Sequence, residues 1–175
     1  MTQKILVATD GSDTARKAVD MAADMAAAFD AKLTVLHVLM HGREAEEMDR
    51  LAEAEHLVRH TAEKTMPKLD DMPGSMTDLF RLTQSTDETA RVVSALGDRL
   101  AQDAADRAES RGAKNVSVRV LPGDYAETIL DSAKDIGADM IVMGSRGLGG
   151  LKGLLLGSVS HKVNQHADCT VVTVR

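Results

Sequence analysis

The chain has 175 residues, a length that suits one domain with a sizeable core. Its formal net charge of −6 argues against a general nucleic-acid binder. The single cysteine, Cys169, excludes an internal disulfide, and no apolar run approaches the ~20 residues of a bilayer span. We therefore expect one cytoplasmic domain over residues 1–175, with no nucleic-acid partner and no membrane insertion.

The first elements predicted along the chain are a strand, a helix and a second strand. Residues 4–9 are continuously apolar and β-branched, which predicts a strand buried on both faces. Residues 10–13 combine a turn with a helix N-cap signal. A helix is predicted over 14–29, where small apolar residues recur on one face, and a second buried strand over 33–39.

A long excursion, residues 40–114, separates the second strand from the third. Its apolar periodicity predicts helices over 44–66 and 86–111, with a Pro- and Gly-containing turn between them. One interpretation is a helical hairpin that packs on a face of the sheet. The other is a helical arm that docks an unknown protein partner or a second subunit, and the sequence leaves both open.

The remaining elements complete an alternating pattern. Strands are predicted over 115–121, 140–143 and Thr170–Val174, with helices over 125–136 and after Ser158. Strands that alternate with helices form parallel sheets. We predict an α/β fold: an open, doubly wound, five-stranded parallel sheet of order 3-2-1-4-5, with helices on both faces and the helical excursion between strands 2 and 3.

The predicted winding reverses between strands 1 and 4, and such a reversal is where open parallel sheets bind ligands. The loops leaving these strands contain Asp10 and the segment 144–158, in which six of fifteen residues are glycine. Residues 144–175 carry a net charge of +3, whereas residues 39–114 carry −5. Glycines that let the backbone approach a ligand, Arg146 and the predicted helix start at Ser158 together favour a phosphate-binding loop. A flexible loop without a ligand is the alternative.

The glycine spacing also points to a known family. Segment 144–158 contains the pattern Gly-x2-Gly-x9-Gly-Ser, and it resembles the ATP-binding motif of universal stress proteins. Residues 3–40 and 115–175 resemble the strands and helix entries of that family, whereas the excursion matches poorly. The resemblance implies the same strand order, ATP together with Mg²⁺ in the crevice, and a homodimer paired through the last strand, Thr170–Val174.

The resemblance also implies roles for individual residues. Asp10 would lie near the ribose and bind Mg²⁺ through water, because Mg²⁺ gives up its hydration shell reluctantly. As an alternative, Asp10 serves only to form the turn. Ala8 and Thr9 would line the adenosine pocket, Met143 would wall it, and Val38 would meet adenine through its backbone. The phosphates and ribose would be held by Gly144, Arg146, Gly147, Gly157, Ser158 and Val159.

The predicted function is an ATP-binding regulatory protein of the stress response, in which nucleotide occupancy alters the loop 144–158 and a partner interaction. No placed general base is apparent, so we assign no catalytic residue. Two alternatives stay open. One is a slow Mg²⁺-dependent ATPase that uses Asp10, and the other is a partner-binding module with a vestigial nucleotide pocket.

Overall fold

The computed structural model describes residues 2–39, 86–148 and 157–175. Within them, all five strands pair in parallel in the order β3-β2-β1-β4-β5, which confirms the predicted sheet. The strands are β1 (Lys4–Ala8), β2 (Lys32–Leu39), β3 (Asn115–Pro122), β4 (Met140–Gly144) and β5 (Thr170–Val174). The helices are α1 (Asp13–Phe29), α2 (Thr86–Ser110), α3 (Tyr125–Ile136) and α4 (Ser158–His166). The predicted helix over 44–66 and the turn after it lie outside the described residues.

Helix α1 follows β1 after a tight turn. Gly11 adopts a φ of 79°, a conformation that a residue without Cβ reaches at little cost. Ser12 then caps the helix, because its Oγ accepts a hydrogen bond from the Ala15 amide at 3.3 Å. The buried face of α1 packs on the sheet and consists of Ala15, Ala18, Val19, Ala22, Ala23 and Ala26.

Helix α2 confirms the second predicted helix of the excursion, but its buried face differs from the prediction. The predicted stripe consists of Val92, Val93, Leu96, Leu100, Ala104 and Ala108. The structure buries Val93 and Ala108 from this stripe, together with the smaller residues Gly97, Ala101 and Ala105, which were not predicted. Small side chains let the helix approach closely, so Leu96 and Leu100 are displaced to its flank, where they pack with Val93 and Leu39.

Two bidentate ion pairs fix α2 to α1. Arg107 Nε and Nη2 donate to the two carboxylate oxygens of Asp20 at 2.6 and 2.7 Å. Arg111 binds Asp24 in the same way, at 3.0 and 2.7 Å. Each pair raises the pKa of its guanidinium, chiefly through the hydrogen bond to the carboxylate. Bidentate geometry specifies orientation as well as attraction, so the C-terminal half of α2 has a defined position on α1.

Helices α3 and α4 cover the other face of the sheet, over a second apolar cluster. Asp124 caps α3 by accepting from the Glu127 amide at 3.1 Å, and the same hydrogen bond lowers the pKa of Asp124. Lys162 of α4 reaches Glu127 at 3.1 Å and Asp124 at 3.4 Å, which ties the two helices together. No described helix is both long enough and apolar enough to cross a bilayer.

Candidate functional site

The crevice between β1 and β4 lies at the carboxyl edge of the sheet. These strands are direct neighbours, with Ala8 opposite Met143, although two helices, two strands and the excursion separate them in the chain. The chain runs outward from β1 to β2 and β3 and then returns to β4. The winding therefore reverses here as predicted, and the loops after β1 and β4 leave side by side.

Asp10 joins these two loops. Its Oδ1 accepts the Ser12 amide at 3.1 Å, and its Oδ2 accepts the Leu148 amide at 3.0 Å. The first contact is the turn interaction expected for an Asp after a strand. The second spans 138 residues of sequence and holds the start of the glycine-rich loop against β1. One carboxylate thus organises both sides of the crevice.

The motif glycines have different structural roles. A Cβ added at Gly147 would lie 2.3 Å from Asp10 Oδ2, so any side chain would break the contact between the loops. A Cβ at Gly144 would lie 2.7 Å from Thr14 Oγ1 and 3.0 Å from the Ala15 nitrogen, against the first turn of α1. Gly157 has room for a Cβ, whose nearest neighbour would be 3.5 Å away. Two of the three glycines are therefore required by contacts within the protein itself.

Ser145 closes the base of the loop, a role that the sequence analysis missed. It is 1% exposed, and its carbonyl accepts the Gly157 amide at 2.7 Å and the Ser160 hydroxyl at 2.9 Å. Its own amide donates to the Val174 carbonyl of β5 at 2.7 Å. Serine between two motif glycines was the available signal, but the sequence did not show which partners it has.

Thr14 adds a second contact that sequence reasoning missed. Its hydroxyl donates to the Arg146 carbonyl at 2.5 Å, which joins the first turn of α1 to the loop. The Arg146 side chain itself is exposed at the crevice. The arrangement fixes the Arg146 backbone while leaving its guanidinium free to meet an anion.

Helix α4 presents its N-terminus at the same edge. It begins at Ser158 as predicted, but its N-cap is Gly157, and no side chain caps it. Helices α1 and α3 both have a side-chain cap, and only α4 of these three has no acidic residue in its first turn. Its first amides and the positive end of its dipole are thus available to an anion. The charge of Lys162, by contrast, is engaged on α3, and the hydrogen bond to Glu127 raises its pKa.

The residues predicted to line an adenosine pocket lie close together, near the carboxyl ends of β1, β2 and β4. Ala8, Val38 and Met143 belong to the same apolar cluster, at 9%, 5% and 5% exposed. Val159 packs against that cluster, and Thr9 is 7% exposed at the end of β1. The structure therefore brings these residues together, with the side chains of Ala8, Val38 and Met143 in the core beneath α3 and α4.

Asp10 is the predicted metal-binding residue, and its surroundings limit what it could hold. No group of three or more His, Cys, Asp or Glu residues within the described ranges could bind a metal ion. Both Asp10 oxygens already accept backbone amides. Mg²⁺ that keeps most of its waters and takes phosphate oxygens needs only one protein carboxylate, so the site fits Mg²⁺ brought by a phosphate ligand and not Mg²⁺ alone.

A separate depression of about 380 Å³ lies at the opposite edge of the sheet. It is lined near the amino ends of the first three strands by Lys4, Lys32, Thr34, Asn115, Val116, Ser117 and Ile136. It shares no residue with the crevice, and the loops that meet at Asp10 leave from the other edge. The candidate site is therefore defined by converging loops and not by this depression.

Fold and site together define a doubly wound α/β protein with a ligand crevice between β1 and β4. The model of the universal stress protein family matches residues 1–175, and the chain belongs to that family. It is 36% identical over 176 residues to universal stress protein YxiE of Bacillus subtilis, with 100% of each chain covered.

Two solved structures share the fold over nearly the whole chain. A universal stress protein in complex with cAMP is 25% identical, with a TM-score of 0.61, and the match covers 99% of this chain and 97% of that one. Universal stress protein UspA from Lactobacillus plantarum is 23% identical, with a TM-score of 0.64, over 99% and 98%. The second likeness concerns the fold alone.

Proposed function

We propose that this protein is a single nucleotide-binding domain that binds an adenine nucleotide, ATP with Mg²⁺, and acts as a regulator in the stress response. The observation that carries the proposal is the hydrogen bond between Asp10 Oδ2 and the Leu148 amide, 3.0 Å long. It brings the first residues of the glycine-rich segment to the end of β1, and the Ser145 carbonyl binds Gly157 at the uncapped start of α4. Backbone amides, a helix N-terminus and an exposed Arg146 suit phosphate oxygens.

The choice of an adenine nucleotide has two supports. The ends of β1, β2 and β4 bring Ala8, Val38 and Met143 together, and we expect these strand ends to receive a flat base beside the phosphate-binding groups. A universal stress protein 25% identical to this chain has been solved in complex with cAMP. Mg²⁺ bound with the nucleotide would supply neutralising charge at the phosphates, Arg146 would add its own positive charge there, and Asp10 would lie near the ribose and hold a metal-bound water.

The hydrogen bonds that Asp10 accepts favour a regulatory role over ATP hydrolysis. Its two oxygens accept backbone amides, so it is poorly placed to take a proton from an attacking water. Single-turnover measurement of phosphate release decides between the two. We expect release no faster than from free ATP, and turnover that disappears in Asp10→Ala while ATP stays bound would establish an ATPase instead.

We further propose a cytoplasmic homodimer paired through β5. Within the described residues β5 pairs with β4 only, which leaves its other edge open. An open strand edge is a template for pairing. The excursion 40–114 is the proposed contact for a protein partner.

Native mass spectrometry of the purified protein tests both proposals together, because it reports bound nucleotide and subunit number in one spectrum. We expect a dimer that carries adenine nucleotide. Calorimetric titration with ATP, AMP and cAMP, each with and without Mg²⁺, then ranks the ligands, with heat-denatured protein as the blank. Folded protein that binds none of them at millimolar concentration would exclude the nucleotide function and leave the partner-binding module.

A further inference from the structure

His37 is a buried imidazole whose two nitrogens have unequal surroundings. It lies in β2, 2% exposed, and its Nδ1 donates a hydrogen bond to the Thr9 carbonyl at 2.8 Å. The carbonyl can only accept, so Nδ1 carries the proton. Nε2 is buried and has no hydrogen-bond partner among the described residues. A buried polar atom without a partner is rare and usually has a structural or functional reason.

Helix α2 covers the unpartnered side of this ring at Gly97. A Cβ added to Gly97 would lie 3.1 Å from His37 Cδ2 and 3.5 Å from Nε2, and 2.9 Å from Cδ2 of Leu39. A side chain at this position would press on the ring and on Leu39, so glycine lets α2 lie close to His37. The ring therefore lies between its hydrogen bond to Thr9 and the close approach of α2.

Helix α2 is held on both sides of Gly97. Its C-terminal half is fixed to α1 by the ion pairs of Arg107 and Arg111. Nearer its N-terminus, Val93 is buried and packs with Leu96, Leu100 and Leu39 of β2. These contacts keep Gly97 close to the His37 ring.

We infer that α2 positions Asp10 in the nucleotide site through Gly97 and His37, an inference that rests on the proposed function. The imidazole holds the Thr9 carbonyl, and the next residue, Asp10, holds the Leu148 amide across the crevice. Displacing the imidazole would therefore move Asp10 and weaken nucleotide binding. His37 acts in this scheme as a positioning residue.

The test compares Gly97→Ala with Ser94→Ala on the same helix. Ser94 is exposed, so its replacement leaves the contact with His37 intact. Gly97→Ala should weaken ATP binding about five- to tenfold, the usual scale of coupling between sites, whereas Ser94→Ala should not change it. In nucleotide-free protein, Gly97→Ala should also shift the amide resonances of Asp10 to Ser12 and of Leu148, and Ser94→Ala should leave them in place.

Variants at His37 distinguish the effect of its hydrogen bond to the Thr9 carbonyl from the effect of its packing volume. In His37→Asn the amide can still donate to the Thr9 carbonyl, and we expect affinity close to that of the wild type. His37→Leu fills the space without a donor and should bind ATP as weakly as Gly97→Ala. Equal resonances and equal affinity in Gly97→Ala and Ser94→Ala would overturn the inference. If the wild type binds no nucleotide, the proposed function fails, while the amide resonances still decide whether α2 is coupled to Asp10.

Discussion

The Asp10 carboxylate and the Leu148 amide are joined by a 3.0 Å hydrogen bond across the crevice between β1 and β4. The same carboxylate accepts the Ser12 amide at 3.1 Å through its other oxygen. The turn after β1 and the loop after β4 therefore both depend on the Asp10 side chain. Its replacement should affect both loops at once.

Asp10→Asn should weaken ATP binding by at least tenfold, since hydrogen bonds to a charged group contribute about 1.5–3 kcal/mol. Asn has a single acceptor oxygen, so it can satisfy the Ser12 amide or the Leu148 amide but not both. The variant should also lose any increase in ATP affinity that Mg²⁺ produces. Calorimetric titration with and without Mg²⁺ measures both effects. An unchanged dependence on Mg²⁺ would contradict the role of Asp10 in holding a metal-bound water.

Gly147→Ala should weaken ATP binding about tenfold, because its Cβ would lie 2.3 Å from Asp10 Oδ2 and must displace the loop. The residue is exposed, so the melting temperature should stay near that of the wild type. A double-mutant cycle with Asp10→Ala is the control. Once the carboxylate is gone, Gly147→Ala should have little further effect on affinity, and additive losses would show that the glycine serves the ligand directly.

Thr173→Pro should convert the proposed dimer to a monomer. The Thr170 amide and the Val174 carbonyl both bond toward β4, so by alternation the amide of Thr173 points to the open edge of β5. Proline removes that donor and its ring obstructs pairing, without breaking the β4–β5 ladder. Thr173→Ala is the matched control, since it keeps the amide but loses the contact with Asn164. Light scattering that finds both variants dimeric would place the interface elsewhere.

Asp139→Asn should lower stability at neutral pH and flatten its dependence on acid. The Asp139 carboxylate accepts the amides of Gln3 and Lys4 at 2.8 and 2.9 Å, and these bonds hold its pKa below the usual 3.8. A pKa lowered by folding stabilises the protein above the unfolded value and loses that contribution as the pH falls through the folded value. Thermal melts from neutral pH down to about pH 3 measure the difference. Asp135→Asn, at an exposed carboxylate without a hydrogen bond or ion pair in the described residues, should melt like the wild type at every pH.

The sheet could be predicted from the sequence because each strand is a short apolar run between turn signals. The alternation of strands and helices then left few possible strand orders for a parallel sheet. The buried face of α2 was predicted less well. Periodicity marked Leu96 and Leu100 for the core, but the close approach of the helix favours Gly97 and its neighbouring alanines, and this approach depends on tertiary contacts that no local pattern encodes.

The location of the site was predictable for the same reason as the fold, since a winding reversal follows from strand order. Its internal contacts were not. The hydrogen bonds of Ser145 and Thr14 to the loop join residues distant in sequence, and serine and threonine are too common for their presence to indicate such a role. The roles of Ala8, Thr9 and the other proposed ligand-binding residues remain predictions that the variants above test.

The buried core of the described residues contains no aromatic side chain; alanine, valine, leucine, isoleucine and methionine fill it. The whole chain has one tyrosine, two phenylalanines and no tryptophan. The polypeptide is consequently almost transparent in the near ultraviolet, where purines absorb strongly. In an absorption spectrum of the freshly purified protein, any retained adenine would therefore dominate the absorbance near 260 nm. The fraction of protein that carries nucleotide could be measured in this way without a label.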